Sequence, residues 1–158
     1  VSQSQRFQQV LEVAEREERA AAEVLAQGEQ RLLRQREKLA ELERYEVDYR
    51  ETLRARAAAG MAASSLRDFH VFIGRLGDAI LQQTRAVAQA STERDLCDER
   101  WRAAAQRTQS VRKVMERALA EETRRTNRRE QNETDERALR AYAAASLARY
   151  AQADGGDA

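Results

Sequence analysis

Residues 57–65 read AAAGMAASS, and the meaning given to these nine residues decides the fold. Gly60 can end a helix, Ser64 and Ser65 are candidate N-caps, and Asp68 in the following turn favours the positive end of a new helix. A reversal of the chain is therefore expected here, with one helix arriving and a second departing.

Working back from this stretch, steps of three and four residues pick out one stripe. It contains Leu53, Tyr49, Leu42, Leu39, Leu32, Leu25, Ala21, Ala14, Leu11 and Phe7. Ten of the fifteen positions are apolar, and Glu18, Gly28, Gln35, Glu46 and Arg56 interrupt them. Working forward, the same stepping gives Leu66, Phe69, Ile73, Leu76, Ile80, Val87, Ala90, Cys97, Trp101, Ala104, Val111, Met115 and Ala118, with Gln83, Arg94 and Thr108 as the polar members. Alternating steps of three and four are the signature of a coiled-coil seam, because they keep one narrow face of a helix on a partner over many turns.

Pairing the two stripes antiparallel gives Leu53 with Leu66, Tyr49 with Phe69 and Leu42 with Leu76, whose residue numbers total 119, 118 and 118. Extended, this register sets Phe7 beside Val111, so the first helix runs out near the place where the second loses its seam. The expected fold is all-α: a long two-helix antiparallel coiled-coil hairpin with the second helix overhanging. The expected divisions are a first helix over 1–57, a turn over 58–64, a paired second helix over 65–118, an overhanging helix or frayed segment over 119–150, and a disordered tail over 151–158. At 1.5 Å per residue the two helices would reach roughly 80 and 130 Å. A parallel dimer of single long helices would not require the second seam to end where the first helix ends.

Composition supports thin helices over a thick core. Hydrophobic residues make up 42% of the 158, aromatic residues only 5%, and proline is absent. Basic and acidic residues, 28 and 27, are mixed along the chain, so no strong field points to nucleic acid or anionic lipid. No apolar stretch approaches the ~20 residues of a membrane span and no secretory signal is evident, so a soluble cytoplasmic protein is expected.

Catalytic chemistry finds little to work with. His70 is the single histidine, which excludes a two-histidine zinc site within one chain, and Cys97 has no CxxC partner. His70 is expected on a helix surface and Cys97 in the seam. Gly60, Gly74 and Gly77 follow no phosphate-loop or dinucleotide spacing. Carboxylates spaced four apart on polar helices read as salt-bridge lacing. Arg124, Arg125, Arg128 and Arg129, diluted by acidic neighbours, read as a solvated face. No enzyme activity, cofactor or metal is expected.

The aromatic residues do stand out. Tyr49 and Phe69 fall in the seam, but Tyr45 and Phe72 fall beside it, and their numbers, totalling 117, set them across from each other. With Leu42, Leu76 and Ala79 they make an apolar edge wide enough to receive a third element.

The run Leu39, Leu42, Tyr45, Tyr49, Arg50 and Leu53, then a glycine-containing turn, then Phe69, Phe72, Ile73, Leu76, Ala79, Ile80 and Gln83, resembles the FliJ family of flagellar export proteins. Trp101 and the DERA segment 135–138 extend the resemblance over nearly the whole chain. It implies a coiled coil similar to the stalk of rotary ATPases, working in the flagellar type III export apparatus. The implied partners are the hexameric export ATPase, the cytoplasmic region of the export gate protein, and export chaperones. The implied location is cytoplasmic, peripheral to the inner membrane at the flagellar base. The family's gate-binding surface carries onto Leu42, Tyr45, Tyr49, Phe72, Leu76 and Ala79, with Lys38 and Gln83 as a polar fringe. The rival readings are the equivalent stalk of a virulence secretion system, a nucleic-acid-binding arm, and a purely structural rod.

Overall fold

The computed structural model describes residues 2–155. Within them are two helices, α1 (Gln3–Ala58) and α2 (Ala63–Asp154), packed against each other without any strand. The chain divides into two compact units, residues 13–108 and residues 1–12 with 109–158.

Residues 13–108 form an antiparallel hairpin. Every stripe position from Ala14 to Leu53 on α1, and from Phe69 to Thr108 on α2, is buried or half-buried. The polar members Glu18, Gln35, Glu46, Gln83, Arg94 and Thr108 are withdrawn from solvent along with the apolar ones, while Leu66 and Arg56 at the turn end are exposed. The spacing, then, sets the seam, and a polar side chain in it must find a local partner. Thr108 donates its hydroxyl to the Ala104 carbonyl at 3.1 Å, one turn back. Gln83 donates across the seam to the Gln35 carbonyl at 2.9 Å and to Gln35 Oε1 at 2.8 Å. Arg94 Nε lies 2.9 Å from Asp95 Oδ1, yet its N–H is not aligned for a hydrogen bond there. Among the described residues it is the one buried side-chain polar atom without a hydrogen-bond partner.

The register differs from the one the stripes suggested. A Cβ added to Gly28 would sit 3.6 Å from the Arg94 Cα and 3.7 Å from Cys97 Sγ, so Gly28 packs on residues whose numbers complete 122 and 125, not 118. The Gln35–Gln83 bond does total 118, but it is made by a long side chain reaching a carbonyl that points along α1. The physical reason is the way knobs fill holes. In an antiparallel pair a seam residue drops between two consecutive seam residues of the facing helix, which offsets the helices by about half a heptad from the like-on-like alignment.

The turn holds a second difference. Gly60, with φ of +93°, adopts the left-handed conformation that glycine tolerates without steric cost, and its N–H bonds the Ala57 carbonyl at 3.3 Å. α2 then starts at Ala63, and the Leu66 N–H bonds the Ala62 carbonyl at 3.1 Å. Ala62 therefore stands where the cap belongs, and Ser64 and Ser65 lie inside the first turn. With no side-chain oxygen at the cap position, the early N–H groups of α2 are left to solvent.

In the other unit, α1 opens with Ser2 and Gln5 capping each other: the Gln5 N–H bonds Ser2 Oγ at 3.2 Å and the Ser2 N–H bonds Gln5 Oε1 at 3.0 Å. Ser4 donates its hydroxyl to Glu122 Oε2 at 2.6 Å and its N–H to Oε1 at 3.0 Å. These bonds hold the Glu122 carboxyl below the usual range, the hydroxyl bond contributing most and the Ser4 N–H next. Here too Phe7 does not stand beside Val111, because Ser4 and Glu122 total 126. Leu11 and Ala118 are buried in this unit, and Phe7, Val111 and Met115 are half-buried.

From Thr123 onward α2 is exposed at every described position except Ser146. It is nonetheless helical through Asp154, so the tail expected to be disordered from 151 is helix for its first four residues. Residues 156–158 lie outside the described residues. Acid-first pairs spaced four apart, Glu121–Arg125, Glu133–Arg137 and Glu136–Arg140, lace this stretch, in the orientation that also suits the helix dipole. No helix of the described chain is long and apolar enough to cross a membrane.

Candidate functional site

The aromatic edge lies in the turn-proximal half of the hairpin formed by residues 13–108. Tyr49 projects into the seam and meets both phenylalanines of α2: its ring centroid is 4.3 Å from that of Phe72, at 30°, and 6.3 Å from that of Phe69, at 56°. Offset pairs of this kind contribute about 0.5–1.5 kcal/mol beyond the area they bury. The Arg56 guanidinium sits 5.5 Å from the Phe69 ring centroid and closes the cluster towards the turn. Arg56 was only an interruption of the stripe in the sequence, and a cation at a seam position next to a predicted turn with a facing ring was the signal available.

The six residues expected to form the surface do not share one environment. Leu76 is only 8% exposed and belongs to the core, supporting the edge from below. Leu42, Tyr49 and Ala79 are half-buried. Tyr45 and Phe72 carry most of the open surface, at 58% and 41% exposed. Tyr45 does not lie across from Phe72 as the like-on-like register required. The half-heptad offset hands Phe72 to Tyr49 and leaves Tyr45 without a ring contact. Of the fringe, Lys38 is exposed. Gln83 is half-buried, and its amide nitrogen donates to Gln35 at two points, so its donor is used inside the seam.

An edge of this shape offers apolar surface that a third element could cover. It presents one tyrosine and one half-open phenylalanine over a floor of leucine and alanine, the arrangement in which a few aromatic anchors dominate an interface. Among the described residues no group of three or more histidine, cysteine, aspartate or glutamate side chains is placed to hold a metal ion. His70 is exposed, and Cys97 is buried as a free thiol against Gly28.

The family model described as "Flagellar FliJ protein" matches residues 3–147, nearly the whole chain. The chain belongs to the FliJ family. A curated member, the flagellar FliJ protein of Escherichia coli (strain K12), is 29% identical over 130 residues, covering 82% of this chain and 88% of that protein. No solved structure matches significantly. The FliJ match spans both helices and includes the aromatic edge.

Proposed function

We propose that the chain is a non-enzymatic component of the flagellar type III export apparatus, linking the export ATPase ring to the membrane export gate. In this reading the aromatic edge receives the cytoplasmic region of the gate protein, with Tyr45 and Phe72 as anchors, Leu42, Tyr49 and Ala79 as flanking contacts and Leu76 as support. The end of the hairpin bearing the termini engages the hexameric ATPase, export chaperones are further ligands, and the protein works in the cytoplasm, peripheral to the inner membrane at the flagellar base. The free energy for transport comes from other components; the FliJ-like hairpin supplies two binding regions on stiff helices.

The observation that carries the reading is the pair of exposed rings, Tyr45 and Phe72, beside a seam that does not need them for closure. Leaving such surface in water is unfavourable by about 25 cal/mol per Å² of apolar area, which a partner recovers on binding. Replacing both Tyr45 and Phe72 with Ala is expected to weaken binding of the purified gate fragment by tenfold or more in calorimetric titration, since aromatic anchors at hot spots cost about 2 kcal/mol or more each when truncated. Helicity by circular dichroism is expected to stay close to the parent's. An unchanged affinity would remove this edge from the gate interface.

A further inference from the structure

The two long flanks of the hairpin of residues 13–108 differ in charge. On the flank that carries Tyr45 and Phe72, stepping by one heptad or half-heptad away from the turn leads on α1 from Tyr45 to Lys38, Arg34 and Arg31, all exposed. On α2 the same flank continues beyond Phe72 through the exposed Arg75 to Ala79, Gln82, Ala86 and Gln89, and carries no charge from Ala79 to Gln89. Among the described residues Lys38, Arg34 and Arg31 form no ion pair. The Arg31 guanidinium lies over the hairpin, with an Nη atom 3.8 Å from where a Gly28 Cβ would be. Acidic side chains bound the strip only at its ends: Glu41 beside the aromatic edge, and Glu93, whose carboxylate accepts from Gln89 at 3.4 Å. The opposite flank runs Arg36, Glu43 and Arg50 on α1, with alternating sign, and Arg50 is tied to Glu46 at 2.7 Å.

We infer that the partner covering the aromatic edge is an acidic protein segment that continues along this flank away from the turn, with its carboxylates meeting Lys38, Arg34 and Arg31. The inference rests on the proposed function for the edge itself and adds the chemistry of what binds there. Two features of the flank favour it. The basic strip lies on the same flank as the exposed rings, with only Glu41 between Tyr45 and Lys38, so one extended or helical segment can occupy both. The flank of the facing helix is uncharged from Ala79 to Gln89, so it supplies no carboxylate to pair with the arginines and lysine, and the acidic side chains that could repel an acidic ligand stand only at the ends of the strip. Charges at such a rim act mainly on encounter rate and selectivity, while the rings supply the anchor.

The experiment measures binding of the purified cytoplasmic region of the export gate protein to the full chain at several salt concentrations. It compares the parent, the triple variant R31E/R34E/K38E, and R36E/R44E/R85E, which makes the same change in net charge at exposed positions away from the flank. The first triple is expected to lose about tenfold or more in affinity at low salt, chiefly in association rate, and to flatten the salt dependence, whereas the second stays within about twofold of the parent. Equal loss in both triples, or no loss in the first, would overturn the inference. If the first triple binds normally while Tyr45→Ala with Phe72→Ala does not, the edge stands as the gate site and only the acidic segment falls. No binding by the parent chain overturns both. Tight, salt-dependent binding of single-stranded RNA that the first triple alone abolishes would assign the strip to nucleic acid and reject the acidic segment.

Discussion

Residues 63–108 and residues 123–154 belong to the same helix, α2, yet they are held helical by different means. In the first stretch the stripe meets α1, and Leu76, Ala90, Cys97 and Thr108 are buried. In the second, the three-four stepping goes on from Ala118 through Glu122, Arg125, Arg129, Asn132 and Glu136 to Leu139, Ala143, Ser146 and Tyr150, with no facing helix. Leu139, Tyr142, Leu147 and Tyr150 are all left exposed. The difference teaches that helix propensity and i,i+4 pairs, about 0.2–0.5 kcal/mol each, can draw a helix, whereas burial of a stripe makes it costly to remove. It also makes the distal stretch the part of α2 with surface still to offer.

The sharpest way to break this comparison is to truncate one leucine in each setting. Leu32 is 4% exposed in the hairpin seam, and Leu32→Ala is expected to destabilise the fold by about 2–4 kcal/mol in urea titration, through lost burial and the cavity left behind. Leu147 is 71% exposed, and Leu147→Ala is expected to stay within about 0.5 kcal/mol of the parent. Comparable losses at both positions would mean that the distal stretch is packed in solution.

A gain should be available in the seam as well. A methyl at Gly28 meets the Arg94 Cα and Cys97 Sγ at ordinary contact distance, and Gly28 does not need a left-handed backbone. Gly28→Ala is therefore expected to stabilise the hairpin by about 1 kcal/mol, the propensity difference in a helix interior, seen as a raised Tm. A lowered Tm would mean that the helices approach more closely here than these distances allow.

The smallest effect belongs at the border between the two kinds of helix. Glu122 is held ionised by Ser4, so its folded pKa lies below its unfolded value. The contribution of this contact is complete above the unfolded value and is lost as pH falls through the folded one. Amide exchange of the first turn of α1 is expected to accelerate selectively as pH falls below about 4.5, once corrected for intrinsic exchange. Ser4→Ala, which removes the hydroxyl bond and keeps the N–H, should weaken that selectivity and move the Glu122 titration towards the ordinary carboxylate range. An unmoved titration in Ser4→Ala would dissociate the two residues.

Much of this was readable in the residues themselves. The three-four stepping located the seam through its polar members as well as its apolar ones, because a helix presents the same face whatever residue falls on it. Gly60 marked the reversal, because it is the glycine of the turn that takes up a positive φ. The aromatic edge was visible as rings beside a seam. The environments within it were legible only in part: the stripe held Leu76 and left Phe72 beside it, but which of Tyr45 and Tyr49 would meet Phe72 depends on how the neighbouring helix is placed.

Periodicity along one chain thus determined that there are two long amphipathic helices, where they turn, and which face of each is apolar, because those properties are local to a helix and repeat every turn. It could not determine how far one helix is displaced along the other, because sliding by half a heptad leaves both stripes in contact. Only packing decided that, by seating Gly28 against Arg94 and Cys97 and by stacking Phe72 on Tyr49. That choice put Tyr45 at the surface, 58% exposed, while Phe72 packs against Tyr49.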